Sequence, residues 1–415
     1  MKKIICTVIL IGLAVCVSTC SCDTPMELDI QVSNPSNKAR IAQTVVINLK
    51  ECLPRTDLRG LTATMSCGEK DVIVQIDDLD NDGSGDELTF TTDLVPHEQK
   101  KFHIDFSYEK ATETPTSKVN AYIKLNDIKG QHPKVQSITY PGDANLLDMY
   151  NSIYGHGAVF ENEYMAYRIY MDNRQSIDIY GKTTPQLEME TTGFYTTEEQ
   201  MNEGYGCDIL WAGKSVGAGS FRGIYNNEPC YIDSVNERQQ SIIASGPIRT
   251  IVEVADNGWL YNGRKVNMTQ RYSLYAGRRE IMVEVIIDGA PEGEQFYTGI
   301  QKLENNNSGF ILDEILTGNL CGSWGSNIPD KSKPHLSENV GLGLYVNPEN
   351  CVSMHEDSLN YLVRLRTDNK NCIRYFVATC AGRETNGFKN AEQWFNYLTE
   401  WQEEMAQPCI VELLH

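Results

Sequence analysis

Arg168, Tyr170, Asp178, Tyr180 and Lys182 all fall on even positions of one stretch, YMAYRIYMDNRQSIDIYGK, and His156 precedes it inside a Gly-His-Gly triplet. Arginine grips a planar oxyanion through a rigid fork and lysine acts as a point charge, so Arg168 and Lys182 can hold a carboxylate or a sulfate. Tyr170 and Tyr180, set between those cations, are candidates for proton transfer through a lowered phenol pKa. His156 adds an imidazole, the usual proton carrier near neutral pH, and its flanking glycines let the backbone approach a ligand closely. Together these groups would make a sugar-acid site. The blander reading is a surface ion network of Arg168 and Lys182 with Asp172 and Asp178.

What positions these groups is a β-hairpin. Met165, Tyr167, Ile169 and Met171 form one mostly apolar row, and Ile177 and Ile179 form another after the turn Asn173-Arg174-Gln175. Side chains alternate along a strand, so register decides which face each group occupies. A two-residue loop would set Arg168 opposite Ile179. A three-residue loop keeps the apolar rows together and predicts Arg168 opposite Tyr180 and Tyr170 opposite Asp178.

Later strands add cations, Arg249, Arg271 and Lys302, on mixed faces that would suit a concave groove. Trp211, Trp259 and Trp324 read as loop residues able to stack on a sugar ring, with core packing as the plainer role of each. Gly217–Arg222 is glycine-rich but lacks the lysine and spacing of a phosphate-binding loop. Upstream, Asp78, Asp80, Asp82, Ser84 and Asp86 alternate around Gly83 in the pattern of a calcium loop. Thr89 stands where such a loop carries its bidentate glutamate, so Asp86 or Glu87 would have to complete the shell. A structural calcium and a solvated acidic turn both fit, and nothing suggests an organic cofactor.

The formal charge of −20 speaks against nucleic acid and against docking on anionic lipid, since both need a basic footprint. Lys2 and Lys3 precede an apolar run to about Val17, a targeting signal too short to be a stop-transfer helix. Small residues before Cys20 and Cys22 resemble a lipobox, which predicts an extracytoplasmic protein held to a membrane by lipid alone; an ordinary cleaved signal is the alternative. The signal takes residues 1–22. Of the nine later cysteines, Cys52 and Cys67 could bridge, though buried thiols explain the set equally well. Short strands with Gly, Pro and Asn punctuation predict an immunoglobulin-like β-sandwich over 23–138. Residues 139–415 read as mostly antiparallel strands in two large sheets or a barrel, ending in one helix over Ala391–Met405.

The stretches QIDDLDNDGSGDEL, YGHGAVFENEYMAYRIYMDNRQSIDIYGK, GYGCDILWAGKSVGAGSF and SGPIRTIVE, with the Trp-rich final helix, resemble the Bacteroidota family called domain of unknown function 4861. That resemblance implies a small β-domain before a large supersandwich similar to galactose mutarotase. It also implies lipoproteins of polysaccharide-utilisation loci, some linked to dehydration of uronic-acid-ended oligosaccharides to a 4,5-unsaturated sugar. The resemblance carries no residue roles. Fitted to that chemistry, Arg168 and Lys182 would neutralise the sugar carboxylate, supported by Arg249 or Arg271. Tyr170 or Tyr180 would take the C5 proton and His156 would protonate the leaving group, or the reverse. Three expectations stay open: a carbon–oxygen lyase, either dehydratase or polysaccharide lyase; a mutarotase-like epimerase or hydrolase, whose acid pair would come from Asp172, Asp178, Glu280 and Glu284; and a non-catalytic glycan-binding lipoprotein.

Overall fold

A computed structural model describes residues 26–109, 115–127, 129–313 and 318–414, so the signal segment with Cys20 and Cys22 lies outside it. The described chain is mostly β, built of antiparallel sheets, with one long helix near the C-terminus. It divides into two compact units. The first takes the chain up to Ser117, Gly246–Arg249 and everything from Gln407 on; the second takes Lys118–Ser245 and Thr250–Ala406. The expected boundary at 138/139 is therefore displaced. Val119–Leu125, whose alternation looks like one more sandwich strand, pairs instead with Ile153–Asn162 of the large unit.

The small unit is a sandwich. One sheet orders Ile410–Leu414, Met26–Ser33, Gln99–Ser107, Thr62–Cys67 and Lys70–Val72; the other orders Arg40–Asn48, Glu87–Leu94 and Gln75–Asp77. Their inner rows, among them Ile30, Val32, Val45, Phe90, Phe102 and Ile104, form one core. Cys52 and Cys67 border it as free thiols, so the bridge considered between them is not formed.

In the large unit a nine-stranded sheet packs over a six-stranded and a three-stranded one. The six-stranded sheet runs Cys207–Asp208, Ile177–Gly181, Met165–Tyr170, Ile153–Asn162, Val119–Leu125, Lys134–Val135. Its inner rows (Ala121, Phe160, Tyr167 and Ile179, then Ala158, Ile169 and Ile177) are buried in the main core. Every residue of opposite parity must face outward, and that outward face carries the chemistry.

The helix Ala391–Ala406 agrees with the predicted span, and buries Trp394, Leu398 and Trp401. It can lie flat because Gly343 leaves room: a Cβ there would come within 2.4 Å of Leu398. Trp324 belongs to this same cluster, in the strand Asn319–Asn327. It is core, not the loop platform expected, and so is Trp259, which is 2 % exposed.

Candidate functional site

The hairpin sets Arg168 opposite Asp178 and Ala166 opposite Tyr180. The expected register is thus off by two residues, which keeps every side chain on its predicted face. The cause is the turn. Asp172, 4 % exposed, accepts from the backbone N–H of Arg174 (2.8 Å) and Gln175 (3.1 Å), stabilising a wide loop over 171–176 in place of a tight one.

Arg168 is the centre of the outward face. Its guanidinium donates to Asp178 through Nε (3.1 Å) and through Nη2, and Nη2 also reaches Asp208 at 3.4 Å. Nη1 reaches the carbonyl of Gly155 at 3.2 Å and the Tyr195 hydroxyl at 3.4 Å. Tyr170 closes the ring, its hydroxyl receiving from Arg168 (2.8 Å) and donating to Asp178 (2.9 Å). The rings of Phe194, Tyr170 and Tyr195 stand 4.4, 4.8 and 5.7 Å from the guanidinium carbon. A delocalised cation tolerates such stacking better than an ammonium.

Asp208 was not singled out in the sequence. It closes the sheet edge opposite Tyr180, and 30 % of its side chain stays open. Burial, then the nearby Asp178 carboxylate, raise its pKa well above the usual carboxylate range, with Arg168 pulling the other way. Two carboxylates beside one guanidinium compete for its charge, so Asp208 holds its proton to higher pH than an ordinary carboxyl. No sequence signal marks it, because the strand Cys207–Asp208 is two residues long and shows no period.

His156 lies inside the strand Ile153–Asn162, not in a loop before it. Regular alternation would turn it toward the core beside Ala158. The register slips between Tyr154 and Val159, with φ of +82° at Gly155 and +67° at His156. This bulge turns the imidazole outward. The imidazole stacks on Tyr150 at 3.9 Å, and Tyr150 stacks on Tyr170 at 5.6 Å. Nδ1 lies 3.0 Å from the Tyr150 carbonyl; a carbonyl only accepts, so Nδ1 carries the hydrogen and Nε2 is left as a lone pair. Burial depresses its pKa and Arg168 adds to this, outweighing the hydrogen bond to Tyr150, so the imidazole is neutral near pH 7. Gly157 next to it is obligatory, since a Cβ would fall 1.8 Å from the Ile169 carbonyl oxygen.

The remaining predicted residues are elsewhere or already engaged. Tyr180 is buried beneath Phe194, with its hydroxyl on Glu188 (2.9 Å) and Thr196 (2.8 Å). Burial, followed by Asp178 for Tyr170 and by Glu188 for Tyr180, pushes both phenols far above their usual pKa, the opposite of the expected lowering. Lys182 is 1 % exposed and its ammonium is filled by Glu161 (2.5 Å) and the carbonyls of Asn162 and Gln186 (2.6 Å each). Arg249 belongs to the small unit, paired with Asp77 and Glu87. Arg271 pairs with Glu253, and Lys302 with Glu356. Glu280 and Glu284 are engaged by Arg278 and Arg374. Trp211 is the tryptophan that remains open, 49 % exposed and three residues on from Asp208.

In the acidic loop Asp78, Asp80 and Asp86 converge with ligand oxygens within 4.8 Å of one another. Asp82 turns instead to the Ser84 N–H at 2.8 Å, and the Lys50 ammonium sits 2.7 Å from Asp86. The carboxylates suit a hard cation, which would displace Lys50.

The chain belongs to the family described as Domain of unknown function (DUF4861), matched over residues 32–411. It is 24 % identical over 346 residues to "Uncharacterized protein P7" of Formosa agariphila, covering 82 % of this chain and 81 % of that one. Among solved structures it is similar to a Glycosyl Hydrolase Family 38 protein of Enterococcus faecalis, with TM-score 0.45 and 10 % identity over 94 % of this chain. An α-mannosidase of Enterococcus faecalis V583 gives 0.43 and 10 % over 94 %. This chain spans 47 % and 46 % of those two proteins, about half their length. A candidate aldose 1-epimerase of Klebsiella pneumoniae gives 0.32 and 7 %, over 70 % of this chain and 96 % of that one.

Proposed function

We propose that this protein is a carbohydrate-active carbon–oxygen lyase that dehydrates the terminal uronic acid of an oligosaccharide. The observation that carries the reading is Arg168 shared by Asp178 and a part-open Asp208, whose carboxyl is shifted to hold its proton, beside His156 with a free Nε2. A base and an acid held on one rigid face are what β-elimination requires. His156 Nε2 takes the C5 proton, and the C5–H electron pair becomes the C4–C5 double bond. The C4–O bond breaks as Asp208 gives its proton to the leaving oxygen, which departs as water. Solvent returns the proton from the imidazolium to Asp208. Tyr170 and Tyr180 position Asp178 and the wall around Phe194, because phenols with raised pKa values make poor bases.

The test is ultraviolet absorbance of the new conjugated double bond with uronic-acid-ended oligosaccharides, and product mass. Loss of one water supports dehydration; chain cleavage with unsaturation indicates a lyase that expels a sugar. Gain of water would favour hydrolysis by Asp178 and Asp208, the second reading their common guanidinium supports. No product, with tight binding of one glycan, would leave a binding protein. The rate should follow a bell-shaped pH curve. Its acid limb falls below the ordinary histidine value of 6.5, where His156 gains a proton, and its alkaline limb marks deprotonation of Asp208.

Residues 1–22 support export and lipid anchoring as part of the same proposal. For the acidic loop we propose a structural calcium. At a hundredfold excess over Kd, calcium should add about 2.7 kcal/mol to folding, read as a higher Tm reversed by chelator. An identical melting curve with and without calcium would remove the metal.

A further inference from the structure

Elimination next to a carboxylate needs a cation on that carboxylate, because charge accumulates there as the C5 proton leaves. Neither expected clamp has room. Lys182 is enclosed by three acceptors, and Arg168, 3 % exposed, already spans two carboxylates, a carbonyl and two phenols. On the reading of the site as an eliminating centre, we infer that Arg174 binds the substrate carboxylate and sets the preference for acidic sugars.

Arg174 stands in the wide hairpin loop, with 40 % of its side chain exposed. Its Nε donates to Asp172 at 2.8 Å and its Nη2 donates to the same oxygen. Asp172 also accepts two backbone N–H groups, so its charge is divided among several donors. Gripping Asp172 on the Nε side leaves the Nη1–Nη2 edge of the planar fork pointing away from it, fixed in orientation and geometrically matched to a carboxylate.

The location fits the reaction. The guanidinium carbon is 5.9 Å from the Tyr150 ring and 5.7 Å from the Tyr170 ring. Tyr150 is the ring on which His156 stacks. A sugar lying on these rings with its carboxylate on Arg174 brings the adjacent C5–H toward His156. Asp208, beyond Tyr170 and Arg168, is then on the side of the leaving oxygen. The aromatic pair also limits water around the guanidinium, which strengthens its hold on an anion in a chain of strongly negative charge.

The test compares initial rates and calorimetric binding of trigalacturonate, triguluronate and a glucuronic-acid-ended chondroitin disaccharide, each beside its carboxyl-reduced twin. The wild-type protein should prefer one acid over its twin. Arg174→Gln should lower kcat/KM for that acid about 10- to 100-fold, with kcat falling as well as KM rising, and leave affinity for the reduced twin as it was. Arg174→Lys keeps a cation against Asp172, so the loop stays folded, and should recover part of the preference. Unaltered acid preference in both variants would overturn the role of Arg174 while elimination itself still stands on product mass. Equal binding of acids and twins by the wild type, or no binding of any, overturns it outright. The pH profile of Asp208→Asn then judges the parent reading separately.

Discussion

Asp208→Asn should lower turnover by about 10²- to 10⁴-fold, the usual contribution of a positioned general acid. The amide has nearly the shape of the protonated carboxylic acid but no proton to give. Arg168 keeps Asp178, and the like-charge neighbour is removed, so stability should hold or rise. The sign follows from linkage: a carboxyl whose folded pKa is raised favours folding at low pH, and that contribution is lost as pH climbs through the raised value. The variant should therefore lose the alkaline limb of its melting curve along with its activity. Full turnover in a folded Asp208→Asn protein would end the acid role.

Lys182→Ala should destabilise the large unit by about 3–5 kcal/mol, because it leaves the fully buried Glu161 without its cation. Glu161 also accepts the backbone N–H of Glu188 (2.8 Å) and Met189 (2.9 Å), and Glu188 in turn receives the N–H of Gly206 at 2.9 Å. The segment bearing Phe194 and Tyr195 is thus tied at its start to Glu161 and at its end to Glu188. Losing Lys182 should loosen the aromatic wall before the sheet unfolds, so activity should fail at lower denaturant than the far-ultraviolet signal. The double change Lys182→Met with Glu161→Leu removes both charges and should recover most of the stability but not the wall. Wild-type melting of Lys182→Ala, measured by calorimetry, would refute the buried-pair argument.

Much of the outward face is visible as an alternating row, because parity survives a register error of two: Arg168, Tyr170, Asp178 and Tyr180 share a face under any shift by an even number of residues. Depth does not show in the same way. Lys182 and Arg168 have the same sequence signature and both are buried, yet one is closed off by Glu161 and the chain at Gln186 while the other is shared by Asp178 and the part-open Asp208. Those partners come from distant segments that no local pattern predicts. His156 is legible as a type of residue but not in direction, since its outward turn depends on a bulge. Asp208 and Arg174 read as a strand fragment and a turn, and acquire their chemistry from neighbours alone. The small sandwich strands and the final helix follow from period and punctuation. The last strand, Ile410–Leu414, does not, because its partner Met26–Ser33 is nearly the whole chain away.

That pairing fixes an order of events during synthesis. Met26–Ser33 is made long before Ile410–Leu414, so the earlier strand waits with one bare edge until the later one has been made. A bare strand edge invites pairing with other chains. The late strand closes it, so a nascent chain stalled before Ile410 should be the form that aggregates or engages a chaperone.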